Sequence, residues 1–279
     1  YNSAMEAVIL AIGDELVLGQ QLDTNSAELS AALAQHGIAT IYHRTVADDA
    51  AAIEAAIREA AAGAGLVLVT GGLGPTDDDL TRQGLAAAMG VKLVLHPPSL
   101  DALNVFFSDR GRPMPPSNRI QAMHPVGSSM IPNACGTAPG IKAAIGPSVI
   151  YAMPGPPAEM TAMFRSHVDP QLEKMATQHN VIVAVKIPTF GLGESSVTER
   201  LGPLTDRSRN PKVGTTVSNG YVNVRIRSEA GDPAAARHLL EQTTAEVVER
   251  LGPIVIGRGE RTLAESLVDL LRAGGGRLA

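Results

Sequence analysis

Cysteine, tryptophan and basic residues are what this sequence is short of. Its single cysteine, Cys135, cannot close an internal disulfide, which excludes a small secreted scaffold stapled by cross-links. There is no tryptophan and aromatics make up 3% of the 279 residues, so nucleotide recognition built chiefly on base stacking is excluded as well. No apolar run approaches the roughly 20 residues that span a bilayer. The chain therefore reads as cytoplasmic, with no membrane partner. Lys and Arg number 23 against 28 Asp and Glu, a net charge of -5 that speaks against a protein whose main business is wrapping nucleic acid, although it allows a local basic patch. The opening Tyr1-Asn-Ser-Ala4 lacks the basic and apolar regions of a signal peptide. Met5 follows it like a native start.

What is present is a hydrophobic content of 44%, enough to fill real cores. From Ala7 onward short apolar runs alternate with alanine-rich stretches: AVILAI, NSAELSAALAQHG, IATIYHRTV, DDAAAIEAAIREAAAG and LVLVT. Strands separated by helices of roughly 10 to 15 residues imply right-handed crossovers and a mostly parallel sheet covered on both faces, a three-layer α/β/α domain. Asp23, Thr24 or Asn25 caps the first helix, and Asp48 or Asp49 the second. After VKLVL (91–95) the chain turns proline-rich and irregular, and these loops are expected over the site. SVIYAM then leads into PGPPAEM and a helix near 157–175. Past about Gln178 the order becomes β-α-β-β-α, which suits a small α+β module, and IVIG with RTLAESLVDLLRAGG predicts a closing strand and helix. The expected domains are 5–176, 177–256 and a last helical piece, 257–279.

Ligands of open sheets bind beyond the carboxyl ends of the strands. One such end is VTGGLGPTDDDLT, residues 69–81, where a glycine turn suited to phosphate meets three aspartates that repel it. Either the carboxylates merely cap the following helix, or a cation stands between them and a phosphate. No Gly-Lys-Ser/Thr follows, and the glycines lack the G-x-G-x-x-G spacing, so neither the nucleoside triphosphatase loop nor the dinucleotide fingerprint applies. Asp14, Glu15, Asp48 and Asp49 fall at neighbouring strand ends. A cluster of oxygen donors there is what magnesium or manganese requires, with phosphate and water completing the shell.

GDELVLGQQLDTNSAEL, VTGGLGPTDDDLT, NRIQAMHPVGSSMIPNACGTAPG and YAMPGPPAEMTAMF, in that order, resemble the N-terminal part of the CinA (competence/damage-inducible) family. The first two also resemble the molybdopterin-binding fold of MoaB, MogA and MoeA. TFGLGESSVTERL and the hairpin after it resemble the family's KH-like middle domain to about residue 256. The resemblance implies hydrolysis of ADP-ribose to AMP and ribose 5-phosphate, dependent on a divalent metal such as cobalt or magnesium and on potassium, by a homodimer. It also implies that the family's C-terminal nicotinamide-nucleotide amidase domain would begin near where this chain ends at RLA.

Carried over by position, the resemblance assigns phosphate to Gly71, Gly72, Gly74 and Thr76, and the metal to Asp79 first, then Glu15, with Asp77 and Asp78 beside them. Asp48 is implied for ribose hydroxyls or activation of water, and Asp48, Asp79 and Glu15 form the catalytic set. Asn25 either bonds the nucleotide or only caps its helix. Asn118, Arg119 and Gln121 fall in the block where the family reads N-x-K-Q. Isoleucine stands here in the lysine's place, so the phosphate-facing cation is either displaced to Arg119 or missing. Gly136, Thr137, Gly140, Gly155 and Glu159 either complete the pocket walls or only make turns. Two rival functions share these residues: a molybdopterin-type pterin-phosphate binding or adenylyl-transfer module, and a non-catalytic scaffold whose small domain touches nucleic acid. His36 and His43 have no partner at metal-ligand spacing, and His124 lies in the block expected over the pocket. Cys135 reads as a small packed residue, and Ser195-Ser196 as a helix N-cap without the G-x-S-x-G of a hydrolase elbow.

Overall fold

A computed structural model describes residues 5–175 and 181–273. The chain divides into two compact units, residues 1–177 and 178–279. In the first, β1 (Glu6–Ile12), α1 (Asp14–Val17), α2 (Thr24–Gln35), β2 (Ala39–Val46), α3 (Ala50–Gly63), β3 (Leu66–Thr70) and α4 (Thr81–Met89) alternate as the hydrophobic pattern predicts. Then come β4 (Leu93–Leu95), α5 (Pro97–Ser108), β5 (Met123–Pro125), β6 (Ser129–Ile131), β7 (Gly140–Ile145), β8 (Ser148–Met153), α6 (Pro157–Met163) and α7 (Asp169–Met175). A six-stranded sheet runs β2-β1-β3-β8-β7-β6. β2, β1, β3 and β8 are parallel, while β7 and β6 are antiparallel additions at one edge.

The period of two along β1 decides the layers. Val8, Leu10 and Ile12 face one core with Ile53, Ile57 and Leu85 from α3 and α4. Ala7 and Ile9 face the other with Leu29 and Leu33 of α2 and with Met160 and Phe164. All five residues of β3 are buried, as expected of a central parallel strand covered on both faces.

VKLVL supplies a strand outside the main sheet: Leu93–Leu95 pairs antiparallel with Met123–Pro125 in a separate two-stranded sheet. Two local readings need correction. The proline-rich stretch after VKLVL contains a full helix, α5, whose Pro97 and Pro98 occupy the first turn, where a missing N–H costs nothing. The helix near 157–175 is interrupted by a π turn at Phe164–Val168.

The second unit holds β9 (Val181–Thr189), α8 (Glu194–Leu201), β10 (Lys212–Ser218), β11 (Tyr221–Ala230), α9 (Pro233–Leu251) and α10 (Leu263–Ala273). Its sheet is antiparallel in the order β10-β11-β9. Val222, Val224 and Ile226 alternate into a core with Val197 and Leu201 of α8 and Leu240 and Val247 of α9. Ser195 and Ser196 lie inside the first turn of α8, whose N-cap is Gly193 with no side-chain bond. IVIG is not a strand: Gly252–Ile254 is a 3-10 turn, and Val255 makes one isolated bridge to Thr189. Among the described residues no helix is long and apolar enough to cross a membrane.

Candidate functional site

β1, β2 and β3 end side by side, and a cleft of about 470 Å³ opens beyond them in the first unit. Its walls come from the segment after β1, the start of α2, the turn after β3, residues 121, 137 and 138, and the Pro154–Pro157 turn after β8. Six carboxylates line it: Glu15, Asp23, Asp48, Asp78, Asp79 and Glu159. No lysine, arginine or histidine is among the described lining residues.

Helix capping sorts the candidates at the first two strand ends. Asp23 caps α2 by accepting from the Ser26 N–H at 2.9 Å, and Asp49 caps α3 by accepting from Ala52 at 2.8 Å. Asn25 and Asp48 are thereby left for the cleft. The Asn25 amide donates to Thr70 Oγ1 at 2.9 Å and to the Gly155 carbonyl at 2.8 Å, tying α2 to β3 and to the turn after β8. Asp48 and Asp14 clasp each other: the Asp14 N–H donates to Asp48 Oδ2 at 2.9 Å, and the Asp48 N–H donates to Asp14 Oδ1 at 3.1 Å. Partial burial pushes the Asp48 carboxyl above its ordinary range, and the Asp14 N–H pulls it back. The charges of Asp14, Glu15 and Asp78 raise it further.

The glycine turn is more occupied than its sequence implies. Asp79 does not cap α4; the N-cap position is Leu80, with no side-chain bond. Instead its carboxylate folds back over the turn, accepting from the Gly74 N–H at 2.7 Å, the Thr76 N–H at 2.9 Å and the Thr76 hydroxyl at 2.5 Å. Gly74 has to be glycine for this, since a Cβ there would sit 2.3 Å from Asp79 Oδ2. Two donors assigned to phosphate, Gly74 and Thr76, are thus engaged by an internal anion.

Arg82, which the sequence reading passed over, lies completely buried under the same turn. It donates to the carbonyls of Leu73 and Gly74, the latter at 3.1 Å. Burial pulls its guanidinium down to about 10 and the charge of Asp79 works against that, leaving it charged at neutral pH. A signal was there to find: Arg82 stands with Leu85, Ala86 and Met89 at the i, i+3, i+4, i+7 positions of an apolar stripe.

On the far wall a chain of amides runs from Asn118 Nδ2 to Gln121 Oε1 at 2.7 Å and from Gln121 Nε2 to Thr137 Oγ1 at 3.2 Å. Gln121 and Thr137 line the cleft, and Asn118 is buried behind them. Asn133, also unremarked in the sequence, organises the NACG turn. Its Oδ1 accepts from Cys135 and Gly136 at 2.9 and 3.0 Å, and its Nδ2 donates to the Ala138 carbonyl at 2.9 Å and to Glu159 Oε2 at 2.7 Å. The Asx-turn pattern of an asparagine two and three residues before those amides was its signal. Removing these bonds in Asn133→Ala is expected to cost roughly 1 to 3 kcal/mol. Amide exchange at Cys135 and Gly136 should accelerate; unchanged exchange there would remove Asn133 as the organiser.

Of the residues singled out from sequence, the cleft brings together Glu15, Asn25, Asp48, Gly71, Gly72, Gly74, Asp78, Asp79, Gln121, Thr137, Gly155 and Glu159. Thr76, Asp77, Asn118, Arg119, Gly136 and Gly140 lie outside its lining, and Arg119 is exposed. Cys135 is exposed rather than packed. His36 pairs with Asp169 at 2.6 Å, His43 with Ser30 Oγ at 2.5 Å, and His124 packs edge-on against His96 and is not among the cleft's lining residues. Among the described residues no three His, Cys, Asp or Glu side chains gather closely enough to hold a metal ion by themselves.

Family models match both units: a probable molybdopterin binding domain over residues 8–174 and the damage-inducible protein CinA KH domain over 186–257. A CinA-like protein of Dictyoglomus thermophilum is 38% identical over 96% of this chain and 64% of its own length. A putative competence-damage inducible protein of Bacillus pumilus is 34% identical over 100% of this chain and 67% of its own length. The chain thus spans about two thirds of the length of the curated relatives it matches. The crystal structure of CinA from Thermoplasma acidophilum, a protein described as of unknown function, superposes with a TM-score of 0.57 at 31% identity, covering 61% of this chain and 98% of that one.

Proposed function

This chain belongs to the CinA family, and we propose that its cleft hydrolyses the diphosphate bond of ADP-ribose, releasing AMP and ribose 5-phosphate, with a divalent cation such as cobalt or magnesium and with potassium. The observation that carries the reading is the cleft's charge: six carboxylates and, among the described residues, no basic side chain line the place where a parallel sheet offers its ligand site. A diphosphate enters such surroundings only with a cation between the two sets of charges.

The donors present fit a hard cation that takes most of its shell from water and substrate. Magnesium characteristically uses one or two carboxylates plus phosphate oxygens rather than an all-protein cage, so it does not require a three-residue cluster, and there is none among the described residues. Glu15 and Asp78 are the proposed ligands. Asp77 lies outside the lining and Asp79 is committed to the turn, so neither is proposed. When bound, such a cation neutralises charge on a diphosphate and helps to activate water.

The chain's own residues supply the rest. Asp48 accepts the proton of the attacking water as the bond from phosphorus to the bridging oxygen breaks. The Gly71–Gly74 turn and Gly155 let backbone approach the diphosphate closely, with Asn25 bracing the two turns from behind. Gln121 and Thr137 offer amide and hydroxyl groups to the sugar side.

Incubation with ADP-ribose and each metal, with and without potassium, should yield AMP and ribose 5-phosphate in equal amounts, and a chelator should abolish the yield. No AMP under any of these conditions from folded protein overturns the reading. A thermal shift with molybdopterin but none with ADP-ribose would transfer the cleft to pterin-phosphate binding.

A further inference from the structure

The turn after β3 lies between two charges of opposite sign. Beneath it, Arg82 holds the carbonyl oxygens of Leu73 and Gly74; above it, Asp79 takes the N–H groups of Gly74 and Thr76. The Leu73–Gly74 peptide is gripped at both ends, its carbonyl by Arg82 and its N–H by Asp79, so the positive end of its dipole faces the Asp79 side, which lines the cleft. Arg82 forms no ion pair within the salt-bridge distance among the described residues, its Nε has no partner, and the side chain is 0% exposed. A buried guanidinium held by neutral carbonyls costs more than a packed apolar residue would at this position of the stripe, so packing alone does not account for it.

We infer that Arg82 is a positioning residue for the substrate's phosphate: it locks the turn with its amides facing the cleft and places a fixed positive charge behind them, while the Asp79 carboxylate is a resident anion that an entering phosphate displaces. This rests on the reading that the cleft takes a phosphorylated ligand. Arg82 is the cation missing from the lining, acting through the turn instead of from the wall. It therefore governs how tightly phosphate is held rather than how fast the bond is cut.

The test uses the full chain and inorganic pyrophosphate with magnesium, followed by calorimetry, for wild type, Arg82→Met and Arg82→Lys. The dissociation constant is expected to rise at least tenfold in Arg82→Met and by a smaller factor in Arg82→Lys, which keeps the charge but not the fork that spans two carbonyls. With ADP-ribose as substrate, KM should follow the same order while kcat changes far less. Because Arg82→Met removes a buried group and its folding is not assured, a second measurement uses wild type alone. The backbone amide resonances of Gly74 and Thr76 should shift on addition of pyrophosphate as they exchange Asp79 for phosphate.

Binding of pyrophosphate to wild type without movement of those two amides overturns the inference, as does equal affinity in a folded Arg82→Met. Loss of kcat at unchanged KM overturns it too. Failure of wild type to bind any phosphorylated probe would instead overturn the functional reading on which it stands.

Discussion

Asp48→Asn is expected to lower turnover of ADP-ribose by roughly 10²- to 10⁴-fold, the usual contribution of a positioned general base, while leaving the fold intact. Asparagine keeps an oxygen that accepts from the Asp14 N–H, so the clasp between the β1 and β2 ends survives. What disappears is the ability to take a proton. The folded pKa of Asp48 lies above its unfolded value, so the folded state binds more protons through that window and stability falls as pH rises across it. At neutral pH the ionised carboxylate is therefore a liability to the fold, and Asp48→Asn should melt at the same temperature as wild type or higher. Activity runs the opposite way. A base must be ionised, so kcat/KM of wild type should fall as pH drops toward the raised pKa of Asp48, and the variant's residual activity should lose that dependence. A folded Asp48→Asn enzyme with wild-type turnover would remove Asp48 from the chemistry.

The second large effect is on stability, at Gly71. Its φ is +100°, and an added Cβ would stand 2.1 Å from the carbonyl oxygen of Ile12. Its own N–H is bonded to the Met153 carbonyl at 3.0 Å, and its carbonyl accepts from Thr81 Oγ1 at 2.8 Å. The residue thus stands where the ends of β1, β3 and β8 meet, and neither backbone rotation nor a shift of the turn relieves the clash without breaking one of these bonds. Gly71→Ala should cost roughly 3 kcal/mol or more, backbone strain and overpacking together, a fall in melting temperature of roughly 6 to 12 °C. Gly90 provides the contrast. Its φ is +70° at the end of α4, but nothing stands within 4 Å of the position a Cβ would take. Gly90→Ala should cost only about 1 kcal/mol, from the left-handed conformation alone. Equal melting temperatures for the two variants would show that the crowding at Gly71 is relieved in solution.

How far the site was legible depends on the range of the interaction concerned. The glycine turn and the acidic strand ends are local patterns, and they were readable because strand, turn and helix signals fall in a fixed order along the chain. α5 was obscured because prolines read as irregularity, although at the first two positions of a helix they are harmless. IVIG has the composition of a strand, yet Val255 finds only the single bridge to Thr189. Cys135 was misplaced because small residues beside glycine look the same in a packed corner as in an exposed turn.

Sequence alone determined the α/β layering, the alternation of strands and helices from β1 to α4, the β-α-β-β-α order of the second unit and the collection of carboxylates at one sheet edge, because hydrophobic period and strand direction act over a few residues at a time. Only the tertiary structure decided which carboxylate does what. Asp23 and Asp49 became caps while Asn25 and Asp48 were left to the cleft, and Asp79 turned back onto the glycine turn with Arg82 beneath it. Each of these outcomes is a competition for particular N–H and C=O groups, and which group comes within hydrogen-bond reach of Asn25, Asp48 or Arg82 is settled by how the strand ends and turns pack together.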